Sequence, residues 1–339
     1  VENPAAITTR VAPSFLRVGQ LELFARRARR EAHPQAQQEL QMIVQHLIDR
    51  NYRSEINDSL HFPEQVVQLA ALFRARLITL ISHWMRVGYC QGNFNSDNCA
   101  AGGFTLDYGP FGFCELFDPR FQPWTGGGIH FSFFNQPNAA ETNYRMFCSA
   151  LKTLLKDHPS EMARLDELHA SFGDAMKQEL DAMWSRKLGL ASHEPELIGE
   201  LLQLLVASKA DYTVVFRELS GLPEDVTPLK RGFYQPSNEQ LDNKWNAWLQ
   251  RWHLQLAGNG DRGEITASMS RTNPAITWRE WLIAPAYEQA AQGDYVHVRE
   301  LQTVFRHPYE PLSPELAVRY DQIRPCLLYT SPSPRDSDS

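Results

Sequence analysis

Apolar residues recur at helical spacing along most of this chain. Between Val66 and Trp84 they fall three and four positions apart, which places them on one face of a helix. Pro63 suits the first turn of that helix, where a backbone N–H needs no partner within the helix. We therefore expect a core helix that leads into the residues after Trp84, and a partner-binding surface is the less favoured interpretation. The expected buried face comprises Val66, Leu69, Ala70, Phe73, Leu77, Leu80, Ile81 and Trp84.

The pattern as a whole predicts an α+β fold that is mostly helical. Two short segments are interpreted as strands, residues 8–12, which Pro13 ends, and the apolar run at 104–107. Helices are expected at residues 20–30, 34–50, 138–156, 160–188, 194–208, 209–219, 237–257, 278–292 and 295–306.

A polar and glycine-rich stretch runs from Tyr89 to Phe113 and contains Asp97, Asn98 and Asp107. The amide oxygen of Asn98 and the carboxylate of Asp107 can hold Mg²⁺, which prefers oxygen ligands and shares itself with substrate phosphates. A second carboxylate, that of Asp97, can accept a proton from a hydroxyl group. The same residue types also form turns, so turn formation alone is the alternative interpretation of all three.

Composition narrows the classes of function. The chain has 339 residues and a formal net charge of −7 without a basic run, which argues against nucleic acid as a partner. Arg74, Arg76 and His83 interrupt the most apolar segment, so no membrane span of about 18 apolar residues is expected. The 5 cysteines lack C-x-x-C spacing, which favours reduced thiols and a cytoplasmic location, or a mitochondrial one in a eukaryote. The 11 histidines lack H-x-x-x-H spacing, so no zinc site is predicted.

The spacing from Gln91 to Asn98 resembles the protein-kinase catalytic loop, H-R-D-x-x-x-x-N. Asn98 takes the place of the metal-binding Asn, and Asn93 stands where a kinase has its catalytic Asp. The Asp-Tyr-Gly triplet that begins at Asp107 resembles the kinase D-F-G triplet. Because an amide cannot serve as a carboxylate base, ordinary kinase chemistry would lack its base here.

A loop of this kind, with Asn-Ser-Asp-Asn at 95–98 and Asp-Tyr-Gly-Pro-Phe-Gly-Phe at 107–113, resembles the selenoprotein O (YdiU) family. Arg-Val-Ala-Pro-Ser-Phe-Leu-Arg at 10–17 and the segment 273–282 resemble the same family. The pair Gln91-Gly92 departs from the His-Gly that the family usually has. The resemblance extends from about residue 6 to residue 325.

The resemblance implies a protein adenylyltransferase that moves AMP from ATP to Ser, Thr or Tyr hydroxyls of substrate proteins. Asp97 would be the catalytic proton acceptor. Asn98 and Asp107 would hold Mg²⁺, with Mn²⁺ as the alternative, and Asp107 would bind the nucleotide through that metal. Arg10 and Arg17 would contact the nucleotide phosphates, since a guanidinium binds two phosphate oxygens at once. Composition alone would leave both arginines as surface residues.

The resemblance also implies a domain order. Residues 1–30 would end a kinase-like small lobe, 31–190 would form a kinase-like large lobe, and 191–325 would form a C-terminal helical extension. Residues 326–339 are interpreted as a non-native, adaptor-derived tail. The motif at 10–17 leaves no room before it for the small lobe and its phosphate-binding Lys. We therefore treat the chain as an N-terminally truncated fragment, which we expect to bind ATP weakly and to transfer nucleotide poorly.

Two other functions stay open at this point. One is a non-catalytic pseudokinase scaffold with a helical interaction domain, and the other is a kinase-type phosphotransferase. The three polar side chains of Asp97, Asn98 and Asp107 favour catalysis over a scaffold. The amide at Asn93 argues against phosphoryl transfer of the kinase type.

Overall fold

The computed structural model describes residues 9–124, 126 and 128–325, and these residues are mostly helical. Within them a two-stranded antiparallel sheet is formed by β1 (Tyr89–Gln91) and β2 (Phe111–Phe113). This confirms the expectation of a mostly helical α+β fold. The helices are α1 (Val18–Arg29), α2 (Ala36–Leu47), α3 (Phe62–Val87), α4 (Gln136–Lys152), α5 (Pro159–Ala170), α6 (Phe172–Leu188), α7 (Pro195–Ala207), α8 (Tyr212–Leu219), α9 (Glu239–Leu256), α10 (Arg262–Thr272), α11 (Glu280–Ala291), α12 (Val296–Arg306) and α13 (Pro314–Tyr320).

The chain divides into two compact units. The described residues of unit 1 lie within Val1–Ile81, Asn93–Gly109 and Gln136–Lys177. Those of unit 2 lie within Ser82–Gly92, Pro110–Asn135 and Gln178–Ser339. The domain ranges expected from the sequence stay predictions.

The core of unit 1 forms around the apolar face of α3. Of the side chains expected on that face, all are buried except Leu80, which is partly exposed. Phe73 packs on α4, where its ring lies 4.4 Å from that of Phe147 and 6.2 Å from that of Tyr144, measured between centroids. The helical spacing of apolar residues therefore located the core correctly.

By length and composition alone, α3 is apolar enough to cross a membrane. Half of its qualifying window is buried inside the structure, however, and core helices of soluble proteins pass the same test. The expectation that the chain contains no membrane span stays a prediction.

In unit 2, three tryptophans of α9 form a buried stripe, since Trp245, Trp248 and Trp252 are spaced by three and four residues. Each indole N–H finds an acceptor, as a buried indole requires. The acceptors are the Ser208 hydroxyl at 2.7 Å, the Leu197 carbonyl at 2.8 Å and the Leu188 carbonyl at 2.9 Å.

Unit 2 also contains a buried ion pair. Both terminal nitrogens of Arg279 donate to the carboxylate of Asp211, at 2.6 and 2.8 Å, and both side chains are almost completely buried. The same carboxylate accepts the N–H of Val214 in the first turn of α8 and the hydroxyl of Tyr234, each at 3.0 Å. Asp211 thus caps a helix and neutralises a buried cation at once.

The two predicted strands were wrong. Residues 9–12 form no strand, and residue 8 lies outside the described residues. In the run 104–107 only Thr105 pairs, as a single bridge to Cys99. The chain turns sharply at Gly103, where φ is 76°, so only one residue pair comes face to face. Further along the chain, Arg17 forms a single bridge to Ala100.

Several helix predictions need correction as well. The helix expected at 160–188 is two helices, α5 and α6, because the chain breaks at Ser171, whose hydroxyl donates to the Glu167 carbonyl at 2.7 Å. A side chain that hydrogen-bonds its own preceding turn competes with the helix. The pattern also missed α10, α13 and the β1–β2 sheet. The remaining helices begin and end close to the expected positions.

Replacing Arg279 by Met should lower the free energy of unfolding by about 3–5 kcal/mol, because it leaves the Asp211 carboxylate buried without its cation. Denaturant unfolding measures this loss. Arg251→Met is the matched control, since Arg251 pairs with Glu200 where both side chains are well exposed, and we expect a loss below about 1 kcal/mol. Equal losses in the two variants would contradict the interpretation.

Candidate functional site

All five residues that the sequence singles out lie in unit 1. Three of them stand on the loop 93–109, and the other two stand on the segment that precedes α1. They are Asp97, Asn98, Asp107, Arg10 and Arg17.

The loop 93–109 is held by side chains that reach its carbonyls from three elements of unit 1. The donors are buried or half-buried, so each bond is protected from water. Burial raises the pKa of Tyr52, which keeps its hydroxyl protonated as a donor. The bonds are Asn143 Nδ2 to the Phe94 carbonyl at 3.0 Å, the Tyr52 hydroxyl to the Ala101 carbonyl at 2.7 Å and Arg76 to the Gly102 carbonyl at 3.1 Å.

The amino end of α1 holds the loop from another direction. The backbone N–H groups of Val18 and Gly19 donate to the carbonyls of Cys99 and Ser96, at 3.0 and 2.9 Å. First-turn N–H groups have no partner within their own helix, and here the loop supplies the acceptors. In return, the Ala101 N–H donates to the Leu16 carbonyl at 2.9 Å. The segment that carries Arg17 is therefore fixed against the loop that carries Asp97 and Asn98.

Asp97 is exposed, and its carboxylate lies against the Cα of Gly19 at the amino end of α1. A carboxylate is favoured there by the partial positive charge of the helix terminus. The turn at this point is made by Asn95, whose side-chain oxygen accepts the Asp97 N–H at 3.0 Å. The side chain of Asn95 therefore forms the turn. The Asp97 carboxylate is not needed for it and faces solvent, where it can accept a proton.

Asn98 is oriented by its amide nitrogen, which donates to the Asn93 carbonyl at 2.7 Å. With its nitrogen used in this way, the oxygen of Asn98 is the end that can bind a cation. Asp107 is half-buried and follows the buried Leu106. Its carboxylate and the Asn98 amide oxygen are the hard donors that Mg²⁺ and Mn²⁺ accept.

These donors fit a metal that is shared with substrate better than a metal held by protein alone. Among the described residues, no group of three or more His, Cys, Asp or Glu side chains could hold a metal ion. Mg²⁺ often takes one or two carboxylates and completes its shell with water and phosphate oxygens. The pair of Asn98 and Asp107 suits that mode of binding.

The two arginines are placed differently. The Arg10 guanidinium lies over the ring of Tyr108, 4.1 Å from its centroid, and Tyr108 directly follows Asp107. Arg17 donates to the carbonyl of Phe15 at 3.3 Å. Arg10 thus lies beside Tyr108, and Arg17 lies beside the 96–101 part of the same loop.

Sequence reasoning missed the residues that support the site. Asn143 gave one signal, because it is a polar residue flanked by apolar positions on α4 and turns out to be buried. Gly19 gave another, since a glycine stands inside the first turn of an otherwise good helix. Neither pattern indicates which loop the residue contacts.

Comparison with known proteins points to one family. A family model described as protein adenylyltransferase SelO matches residues 1–306.

Three relatives of this chain are named protein nucleotidyltransferase YdiU. That of Dechloromonas aromatica is 33% identical over 320 residues, which are 90% of this chain and 60% of the relative. That of Methylobacillus flagellatus is 32% identical over 317 residues, with 90% and 58% covered. That of Tolumonas auensis is 32% identical over 337 residues, with 96% and 62% covered. The chain thus spans about three fifths of the length of these relatives.

Replacing Asn143 by Ala should loosen the loop, because the Phe94 carbonyl loses its buried donor. We expect a loss of about 1–3 kcal/mol in the free energy of unfolding and faster hydrogen exchange at the amides of residues 94–101. Thr142→Ala is the control, since Thr142 is exposed on the same helix. Unchanged exchange in the Asn143 variant would show that this hydrogen bond does not hold the loop.

Proposed function

This chain belongs to the SelO family of protein adenylyltransferases, and we propose that the full-length protein moves AMP from ATP onto hydroxyl side chains of substrate proteins. The observation that carries the proposal is the placement of Asp97 and Asn98 on a loop tied to the amino end of α1. The segment with Arg10 and Arg17 lies against the same loop. The residues that we propose as proton acceptor, metal donor and phosphate-binding cations therefore all lie in unit 1, on or against one loop.

Each residue has a defined task in this reaction. Asp97 accepts the proton of the attacking hydroxyl, whose oxygen then bonds to the α-phosphorus of ATP while pyrophosphate leaves. Arg10 and Arg17 offset negative charge on the phosphates and on the leaving group. Asn98 and Asp107 would hold Mg²⁺ or Mn²⁺, which supplies further neutralisation of phosphate charge when bound.

We extend the proposal to the finer fold and the surroundings of the protein. Residues 31–190 would form a kinase-like large lobe, and residues 191–325 would form a helical extension. Ser, Thr and Tyr hydroxyls would be the acceptors, in a cytoplasmic setting without nucleic acid or membrane as a partner. The family resemblance supports the kinase-like lobe and the hydroxyl acceptors, and the net charge of −7 and the cysteine spacing support the proposed setting.

Phosphoryl transfer of the kinase type is less favoured, because the residue at the position of the kinase base is an amide. Asn93 stands at the position of the kinase base, and its side-chain oxygen accepts the Asn95 amide at 3.1 Å. It serves the loop's own hydrogen bonding and cannot take up a proton as a carboxylate does. A pure scaffold is less favoured because the Asn95 side chain makes the turn at this point, so the turn does not depend on the Asp97 carboxylate.

Labelled ATP distinguishes the three functions. The full-length protein is incubated with a mixture of candidate protein acceptors and with ATP labelled at either the α- or the γ-phosphate. Adenylyl transfer predicts that only the α label becomes bound to protein. Retention of the γ label would indicate a kinase, and binding of ATP without retention of either label would favour the scaffold.

Replacing Asp97 by Asn should reduce AMP transfer by about 10²–10⁴-fold, because the amide matches the shape of the carboxylate but cannot accept the proton. The melting temperature should hardly change, since the side chain is exposed. Asp157→Asn, at an exposed acidic residue of the same unit, is the control for charge. Transfer at the unaltered rate by the Asp97 variant would remove Asp97 from the role of base.

Replacing Asp107 by Ala should weaken metal-dependent nucleotide binding. In the unaltered protein, ATP with Mg²⁺ at a hundred times its dissociation constant should stabilise the fold by about 2.7 kcal/mol. We expect most of this stabilisation to be lost in the variant, and chelation of the metal should have the same effect on the unaltered protein. If ATP with Mg²⁺ stabilises both proteins equally, Asp107 is not a metal ligand.

Arg10→Ala and Arg17→Ala should each lower ATP affinity by about tenfold or more, since a hydrogen bond to a charged group is worth roughly 1.5–3 kcal/mol. Calorimetric titration with ATP and Mg²⁺ measures the change. Arg30→Ala removes an exposed arginine at the end of α1 and should leave affinity unchanged. Unchanged ATP affinity in both test variants would show that these arginines are ordinary surface residues.

A further inference from the structure

Gly19 is the second residue of α1, and its helical backbone does not require glycine. Glycine is a poorer helix former than alanine, so its presence here calls for another explanation. The explanation is the close approach of a neighbouring side chain.

A Cβ atom on Gly19 would meet the carboxylate of Asp97. It would lie well inside 3.0 Å of Oδ1, a separation that real Cβ atoms essentially never show, and 3.2 Å from both the Asp97 Cγ and the Ser96 Oγ. The backbone cannot easily make room, because the Gly19 N–H is bonded to the Ser96 carbonyl at 2.9 Å. Adjacent bonds from Val18 and to Leu16 fix the same two segments.

We propose that Gly19 is a positioning residue, whose missing side chain allows the Asp97 carboxylate to lie over the amino end of α1 in the orientation needed to accept a proton. This inference rests on the proposed function, in which Asp97 is the base. A methyl group at position 19 would turn the carboxylate aside while leaving the arginines and the metal donors in place. Misplacement of a reacting group by about 1 Å can cost about a hundredfold in rate.

The chain offers a matched control at Gly173. This glycine is also the second residue of a helix, α6, and also lies in unit 1, but nothing lies within 4 Å of a Cβ built on it. Alanine at position 173 therefore gains helix propensity without a clash. Alanine at position 19 gains the same propensity, but its methyl group meets the Asp97 carboxylate.

The first experiment measures stability and does not depend on activity. Unfolding free energies are compared for the unaltered protein, Gly19→Ala, Asp97→Ala and the double variant, with Gly173→Ala as the control. We expect Gly19→Ala to stabilise the protein less when Asp97 is present, because the exposed carboxylate must turn aside from the new methyl group, than when Asp97 is Ala, where it should stabilise as Gly173→Ala does. Equal effects of Gly19→Ala in the two backgrounds would show that a side chain at position 19 does not meet the Asp97 carboxylate, and would overturn the proposal. If Gly19→Ala alone fails to fold, recovery of folding in the double variant supports the proposal and its failure overturns it.

The second experiment measures AMP transfer by the full-length protein. Gly19→Ala should lower kcat by about a hundredfold while KM for ATP changes less than twofold, because only the base is displaced. Added to Asp97→Ala, it should cause no further loss of kcat. An unchanged kcat would overturn the positioning role, as would a loss seen only in KM. Should the unaltered protein transfer no AMP, the proposed function fails, and the stability comparison still decides whether Gly19 positions Asp97.

Discussion

The pairing of the amino end of α1 with the loop 93–109 is the constraint on which the candidate site depends. The first N–H groups of a helix need acceptors from outside the helix, and here the loop supplies them through the carbonyls of Ser96 and Cys99. One set of backbone bonds thus does two things. It completes the helix, and it fixes the distance between the segment of Arg17 and the loop of Asp97 and Asn98. Because these are main-chain bonds, side-chain substitutions on the loop can change the chemistry without changing its placement.

The supports of the loop explain how exposed residues can be held precisely enough to react. Asn143, Tyr52 and Arg76 all donate to loop carbonyls, so the backbone is fixed from the core side of unit 1. These bonds use neither the exposed carboxylate of Asp97 nor the amide oxygen of Asn98. Rigid backbone combined with accessible side chains is the arrangement that preorganised sites require.

The sequence predicted the parts of the fold that follow from periodicity. The buried face of α3 was predictable because apolar residues recur at every turn over a long helix. The β1–β2 sheet was not predictable, because strands of three residues are too short to show alternation, and one of them contains Gly112. The break at Ser171 depends on a single hydroxyl that bonds to the preceding turn.

The residues of the candidate site likewise fall into those that the sequence could identify and those that it could not. Asp97, Asn98 and Asp107 could be named from their residue types and their resemblance to a family, since chemistry limits which side chains bind metals or accept protons. Gly19 and Asn143 could not be assigned a role, because their importance lies in what they contact. Those contacts join positions that are far apart in the chain, 78 residues in the case of Gly19 and Asp97. No local pattern records them.

Asn93 stands where a kinase has its catalytic Asp. The hydrogen bonds around Asn93, and the position of Asp97, favour Asp97 as the base. The carbonyl of Asn93 orients the Asn98 amide, and its side-chain oxygen accepts a hydrogen bond from Asn95. A carboxylate at position 93 would be surrounded by this same bonding and would also stand close to the proposed metal donor. Asp97 instead lies at the amino end of a helix, where a negative charge is stabilised and solvent is accessible. The loop therefore separates the position that orients the Asn98 amide from the exposed carboxylate of Asp97, four residues further along the chain.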